Sequence, residues 1–162
     1  MKKFKNHTLV EYLAELAKKA PVPGGGSVAA LTAALAAGLI SMVANYSVGR
    51  KIPLRDVRRL EGILKKSEAL RVRLLELVDL DAEAYLQVVA AKGQPPRIKR
   101  QVLRAAARVP AEVARLCYQT MLLAPFLIDK GNPYLLSDVE VAVELLEAAF
   151  KSAMINVRVN QA

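Results

Sequence analysis

The chain has 162 residues, 54% of them hydrophobic and 24% charged, which suits one domain with a real core and excludes a disordered chain. Lysine and arginine outnumber aspartate and glutamate by 24 to 15, a net charge of +9 that suits an anionic partner without naming one. With one cysteine, Cys117, no intramolecular disulfide can form, and with one histidine, His7, neither a histidine triad nor a usual zinc site fits a single chain.

Aromatic residues make up only 5%, while alanine and leucine dominate, so helices are favoured over a β-sandwich. The first element opens at Thr8-Leu9-Val10-Glu11, a capping box, and continues with Leu9, Tyr12, Leu13, Leu16 and Ala17 at helical spacing. Lys2 to Lys5 leads straight into this amphipathic stretch and not into an apolar signal peptide, so a cytoplasmic protein is expected. Two prolines and three glycines between Ala20 and Gly26 then break the helix. A second helix is predicted from near Ser27 to about Val48, inside a run from Ala20 to Gly49 without a single charge.

Pro53 closes a short break, and a long periodic helix follows. Val57, Leu60, Leu64, Ser67, Leu70, Leu74, Leu77, Val78, Asp81, Tyr85 and Val88 trace one stripe at roughly heptad spacing, with Ser67 and Asp81 as its polar members. The stripe ends near Lys92-Gly93. Arg97 to Met121 reads as a further helix with a kink at Pro110. Pro125 and Gly131-Asn132-Pro133 mark breaks, and Ser137-Asp138-Val139-Glu140 forms a second capping box that starts a last helix towards Asn156. No strand, repeat or linker is evident. The expected fold is all-α: a single-domain bundle of about five helices over 1–162, two of them long, with a close-packed Ala/Gly-rich helix.

Charge is uneven along the chain. Arg50 to Arg73 carries nine basic and three acidic residues, and Lys92 to Arg108 carries six basic and none acidic. Glu76, Asp79, Asp81 and Glu83 make Leu74 to Ala91 purely acidic. A solvated helix face explains the basic stretches as well as a binding surface does.

The glycine segment admits three readings. Gly24-x-Gly26-x-x-Ala29 meets a relaxed dinucleotide fingerprint, but a helix and prolines precede it where a strand is needed. Its uncharged length could span a bilayer, yet it is mostly alanine interspersed with Ser27, Thr32, Ser41 and Asn45. A buried helix fits best, since Ala30, Ala33, Ala34, Ala37, Gly38 and Ser41 form a small-residue face that lets helices approach closely. A helix this apolar needs cover on most sides, which favours a subunit interface as well as a core. Gly24, Gly25, Gly26 and Ser27 would then present backbone N–H groups at a helix N-terminus to an anionic or carbonyl group.

Pro23-Gly24-Gly25-Gly26-Ser27-Val28-Ala29-Ala30, Met42-Val43 and Gly49-Arg50-Lys51 resemble the cyclodeaminase/cyclohydrolase family. So do Val78 to Tyr85, Gly131-Asn132-Pro133 with Ser137-Asp138-Val139, and Asn156 to Asn160. These stretches occur in family order over nearly the whole chain, which stops just after Asn160, where relatives commonly add more helix. The resemblance implies an all-helical homodimer, a tetrahydrofolate derivative as substrate, no tightly bound cofactor, no metal and no membrane. It implies formimino-tetrahydrofolate cyclodeaminase or methenyltetrahydrofolate cyclohydrolase activity.

That chemistry moves protons around an N–C–N bridge, and one buried carboxylate can serve either direction as general acid or base. Asp81 is the first candidate because a carboxylate on an apolar stripe is costly without a purpose, and Asp79 is the second. On one helix the two point in different directions. A buried carboxylate that sets helix register is the plain alternative for Asp81. Arg50 and Lys51 could bind the glutamate tail of folate or simply suit a helix C-terminus. Asn132, Asn156 and Asn160 could hydrogen-bond the pterin, Asn132 being also a natural turn residue, and Asp138 a helix-dipole partner. Cys117 in an apolar helix fits the core better than a nucleophile. The competing function is a non-catalytic helical relative binding an anionic ligand or nucleic acid through its basic face. Few aromatics and no nucleic-acid motif weigh against that reading.

Overall fold

A computed structural model describes residues 3–50 and 52–161. Seven α-helices and two short 3-10 turns are present, with no strand among the described residues. They are α1 (Leu9–Leu16), α2 (Gly25–Ser47), α3 (Leu54–Ala90), α4 (Pro96–Ala106), α5 (Arg108–Met121), α6 (Ala124–Lys130) and α7 (Leu136–Gln161). The 3-10 turns are Phe4–Asn6 and Pro133–Leu135. Five helices have eleven residues or more, and α1 and α6 are short.

The Ala-rich α2 is the central rod. It packs antiparallel to α3 and to α7, with α5 against part of its remaining surface. Ala30, Ala33, Ala36, Ala37 and Ala44 are wholly buried, so the small-residue face lies inside the chain and brings α3 and α7 close. By length and composition α2 could cross a membrane, and 61% of its most apolar window is buried within the fold. Its remaining outer stripe stays uncharged.

The α3 stripe is buried from Leu60 to Val78 and emerges at Asp81. Ser67, its other polar member, accepts a 2.8 Å hydrogen bond from Ser41 of α2 and donates to the Leu64 carbonyl at 3.0 Å. That explains a polar pair at 0% and 4% exposure in an apolar contact. On the flank, Arg73 of α3 holds Glu112 of α5 through two bonds of 2.8 and 3.0 Å.

Local signals set several boundaries. The first capping box forms in full: the Thr8 N–H donates to Glu11 Oε2 at 2.7 Å, and the Glu11 N–H donates to Thr8 Oγ1 at 3.2 Å. Pro110 ends a helix where a kink was expected. It lacks an N–H for the Ala106 carbonyl and crowds it, so the break falls at Ala107, one turn upstream. The second capping box does not cap: the Pro133–Leu135 turn runs directly into α7, which leaves Ser137 inside the helix. Asn132 does the capping, with its Oδ1 accepting from the Tyr134 N–H at 3.1 Å.

Removing one partner of the α2–α3 serine pair checks this packing. Ser67→Ala removes the Ser67 acceptor of the Ser41 hydroxyl and leaves it only the neighbouring Glu68 carboxylate, and is expected to lower stability by about 1 kcal/mol in urea unfolding. The Ser41→Ala/Ser67→Ala double variant should cost less than the two single changes summed. Additive losses would show that the pair does not act as a unit.

Candidate functional site

Antiparallel packing brings the N-terminus of α2 against α3 at one level. Gly24 caps α2 with extended backbone and no side-chain bond, so the first N–H groups of the helix lack helical partners. A Cβ placed on Gly26 would lie 2.0 Å from Asp81 Oδ1 and 2.6 Å from Oδ2. The carboxylate thus occupies the space that any other residue at 26 would fill. The other glycines are different: a Cβ on Gly24 meets nothing within 4 Å, and one on Gly25 meets only Asn156 at 3.8 Å. Nothing inside the chain requires them to be small, so they leave the floor of a cleft open to a ligand.

That cleft, of about 290 Å³, is lined by Gly24, Gly25, Gly26, Asp81, Tyr85, Asn156 and Asn160, with Pro21, Val22, Ala84, Ala106 and Val159 between them. It is at the lower end of the ~300–1,000 Å³ usual for small-molecule sites. Asp81 is its only charged side chain among the described residues. Burial pushes the Asp81 carboxyl up to about 6, and the Ser27 backbone N–H opposes that rise. A helix N-terminus favours the carboxylate, yet desolvation wins. Tyr85 sits one turn beyond Asp81 and is 45% exposed, presenting its ring to the cleft. Asn156 Nδ2 donates to the Ser152 carbonyl at 3.0 Å, which leaves its Oδ1 as an acceptor near Gly25.

The expected site residues divide into groups. Gly24, Gly25, Gly26, Asp81, Asn156 and Asn160 share the cleft, and Ser27 lies fully buried behind it. Asp79 faces elsewhere: it is 5% exposed, and its Oδ1 accepts a long 3.4 Å bond from the Lys5 N–H of the first 3-10 turn. Its Oδ2 has no hydrogen-bond partner among the described residues. Arg50, Asn132 and Asp138 lie at the other end of the bundle. Arg50 Nη1 donates to the Gly131 carbonyl, and the Asn132 N–H donates to Ser47 Oγ at 2.9 Å. In this chain those contacts tie the C-terminus of α2 to the 131–132 loop, some 35 Å along the helix from Gly24. Lys51 lies outside the described residues.

Cys117 is fully buried and its thiol is pushed up to about 12 by burial, so it belongs to the core. Among the described residues, no group of three or more His, Cys, Asp or Glu side chains is placed to hold a metal ion. A second groove, of about 500 Å³, is lined by Arg97, Arg100, Gln101, Arg104, Ala105 and Arg108 on the outer face of α4 and the start of α5. Six cleft residues escaped sequence reasoning as site members: Pro21, Val22, Ala84, Tyr85, Ala106 and Val159. Tyr85 follows Asp81 on the same stripe by four residues, which was a readable signal; Ala106 carried none.

Residues 8–162 match the formiminotransferase-cyclodeaminase family. The chain is 36% identical to a methenyltetrahydrofolate cyclohydrolase of Methylorubrum extorquens, over 96% of this chain and 79% of that protein. It is 32% identical to the formimidoyltransferase-cyclodeaminase of Rattus norvegicus, over 94% of this chain but only 30% of that longer protein. The crystal structure of a formiminotetrahydrofolate cyclodeaminase from Thermotoga maritima superposes with a TM-score of 0.93 at 31% identity, covering 96% of this chain and 79% of that one.

The titration of Asp81 gives a test that needs no ligand. Its folded-state pKa is raised from 3.8 to about 6, so stability from the protonated acid is fully present below about pH 4 and is lost as the pH rises through 6. Asp81→Asn should therefore be more stable than wild type at pH 7.5, by roughly 2–3 kcal/mol at most, and show little gain at pH 4. Equal urea midpoints at both pH values would contradict a strained, buried carboxylate.

Proposed function

The chain belongs to the formiminotransferase-cyclodeaminase family, and from that premise we propose that it makes or opens the one-carbon bridge between N5 and N10 of tetrahydrofolate, as a cyclodeaminase or cyclohydrolase, with Asp81 as general acid and base. The carrying observation is a lone carboxyl with a pKa of about 6, seated on the Gly26 backbone in a cleft open to a small molecule.

Both directions need one proton carrier beside the bridge carbon. In ring closure, N10 attacks the formimino carbon and the departing nitrogen must be protonated to leave as ammonia. In hydrolysis, water attacks the methenyl carbon and gives up a proton. A group titrating near 6 is present in both forms close to neutral pH and can do either. The methenyl bridge carries positive charge, which a carboxylate in a poorly solvated cleft stabilises. Tyr85 provides a flat face for the pterin, and Asn156 Oδ1 and Asn160 provide hydrogen bonds at its edge.

A tetrahydrofolate tail is anionic, yet no cation lines the cleft among the described residues. A homodimer supplies one. Leu35 and Tyr46 on the uncharged α2 are 56% and 64% exposed, and Val141 and Ile155 on α7, which packs beside it, are 50% and 52% exposed. Two copies pairing there about a two-fold axis perpendicular to α2 run their α2 helices antiparallel, which sets the Gly24 end of one beside the Arg50 end of the other. One Arg50 nitrogen holds Gly131, and the rest of its fork remains to take a carboxylate.

Loss of the methenyl chromophore and ammonia release from formimino-tetrahydrofolate are the decisive assays. Asp81→Asn should lower kcat by about 10²–10⁴ while the protein stays folded. Turnover of neither substrate by folded wild-type protein would refute the assignment. Arg50→Ala and Asp81→Asn subunits, each weak alone, should recover about a quarter of wild-type activity when mixed, because half the dimers then hold one intact site. No recovery on mixing would place Arg50 outside the site.

A further inference from the structure

α1 is held in a way that its sequence does not suggest. Most of its apolar stripe faces solvent, with Leu9, Val10 and Leu13 at 72%, 78% and 61% exposure. Tyr12 is its only buried residue. The Tyr12 ring meets Phe4 edge-on at 6.4 Å, and Phe4 belongs to the turn whose Lys5 N–H contacts Asp79. Beyond the ring, the Tyr12 hydroxyl shares a 3.0 Å hydrogen bond with Ser27 Oγ at a fully buried point. The Asp81 carboxylate rests on Gly26, the residue before this Ser27, and the Ser27 backbone N–H favours its charged form. Tyr12 on α1, Ser27 on α2 and Asp81 on α3 thus form one connected row across three helices.

We propose that Tyr12 is a positioning residue for Asp81, acting through Ser27: its hydroxyl fixes the residue whose backbone N–H contacts the acid. The inference rests on the acid–base role given to Asp81 above. Without Tyr12's hydroxyl, a serine in the first turn of a helix turns towards a carbonyl of the preceding residues, and the turn tilts. Hydrogen bonds weaken steeply with angle, so a small tilt weakens the Ser27–Asp81 contact. Little else can take over. Among the described residues, the Gly24–Ser27 turn of α2, Ala106 of α4, and Asn156, Val159 and Asn160 of α7 carry no titratable side chain beside the carboxylate; Tyr85 also lines the cleft, and Tyr12 lies close enough to feel the charge of Asp81. The effect on Asp81 therefore has a sign: losing an N–H bond to the charged form raises its pKa.

The test is a ¹³C carboxyl titration of Asp81 in the resting protein, together with the pH dependence of kcat/KM, for wild type, Tyr12→Phe, Ser27→Ala and the double variant. Tyr12→Phe should move the Asp81 midpoint upward by roughly 0.5–1 pH unit in both measurements. It should lower kcat about tenfold and leave KM within about twofold, as expected for a fault in proton transfer and not in binding. The double variant should shift the midpoint no further than the larger single shift, since both changes remove one bond. An unmoved midpoint in folded Tyr12→Phe overturns the proposal. Should Tyr12→Phe fail to fold, Ser27→Ala removes the same bond and keeps the ring, and an unmoved midpoint there overturns it equally. The titration does not depend on turnover. An inactive Asp81→Asn with an unmoved midpoint removes the positioning role alone, whereas a fully active Asp81→Asn removes the acid–base role and leaves a shifted midpoint standing for the row of contacts.

Discussion

The cleft depends on one missing atom. Gly26 has no Cβ, and the Asp81 carboxylate fills the space where it would be. This lets the start of α2 and the end of the buried α3 stripe approach closely enough for the acid to reach the unpaired N–H groups of a helix terminus. The same approach strips water from the carboxyl, so the contact that holds the acid in place also raises its pKa. Position and acidity have a single cause. A residue with a side chain at 26 would push the acid outward, towards water and towards an ordinary pKa.

The remainder of the bundle maintains that approach. Alanines along α2 bring α3 and α7 in close, and the Ser41–Ser67 pair fixes the register of α2 on α3 by satisfying two buried hydroxyls at a single level. At the far end, Ser47 and Arg50 fasten α2 to the loop before α7. A rod tied at its middle and its end cannot slide, so the glycine turn stays opposite Asp81. On the other side of the same α3 turn, Asp79 accepts from the Lys5 N–H, which gives a second acidic residue a structural contact two positions from the one in the cleft.

Much of this was legible in the sequence, and the failures have physical reasons. Asp81 could be found because a charge on an apolar stripe needs an explanation, and the glycines because their context suited neither a nucleotide loop nor a membrane span. Asp79 could be separated from Asp81 by helical direction, but its contact with Lys5 lies 74 residues away and leaves no local trace. Within one chain Arg50 and the cleft lie at opposite ends of α2, a separation that the order of motifs along the sequence does not carry. Tyr12 read as one more apolar member of an amphipathic helix, whereas α1 buries that residue and exposes its neighbours. The Ser137 box failed because a 3-10 turn upstream had already supplied the first turn of α7.

The pairing of Gly26 with Asp81 has a meaning for lineages as well as for one molecule. A relative with alanine at the first position cannot keep an aspartate at the second in this geometry, while one that has replaced the acid with a smaller side chain no longer needs the glycine. The two positions are expected to change together, and a departure at either marks a bundle in which the contact between the start of α2 and α3 has been rebuilt.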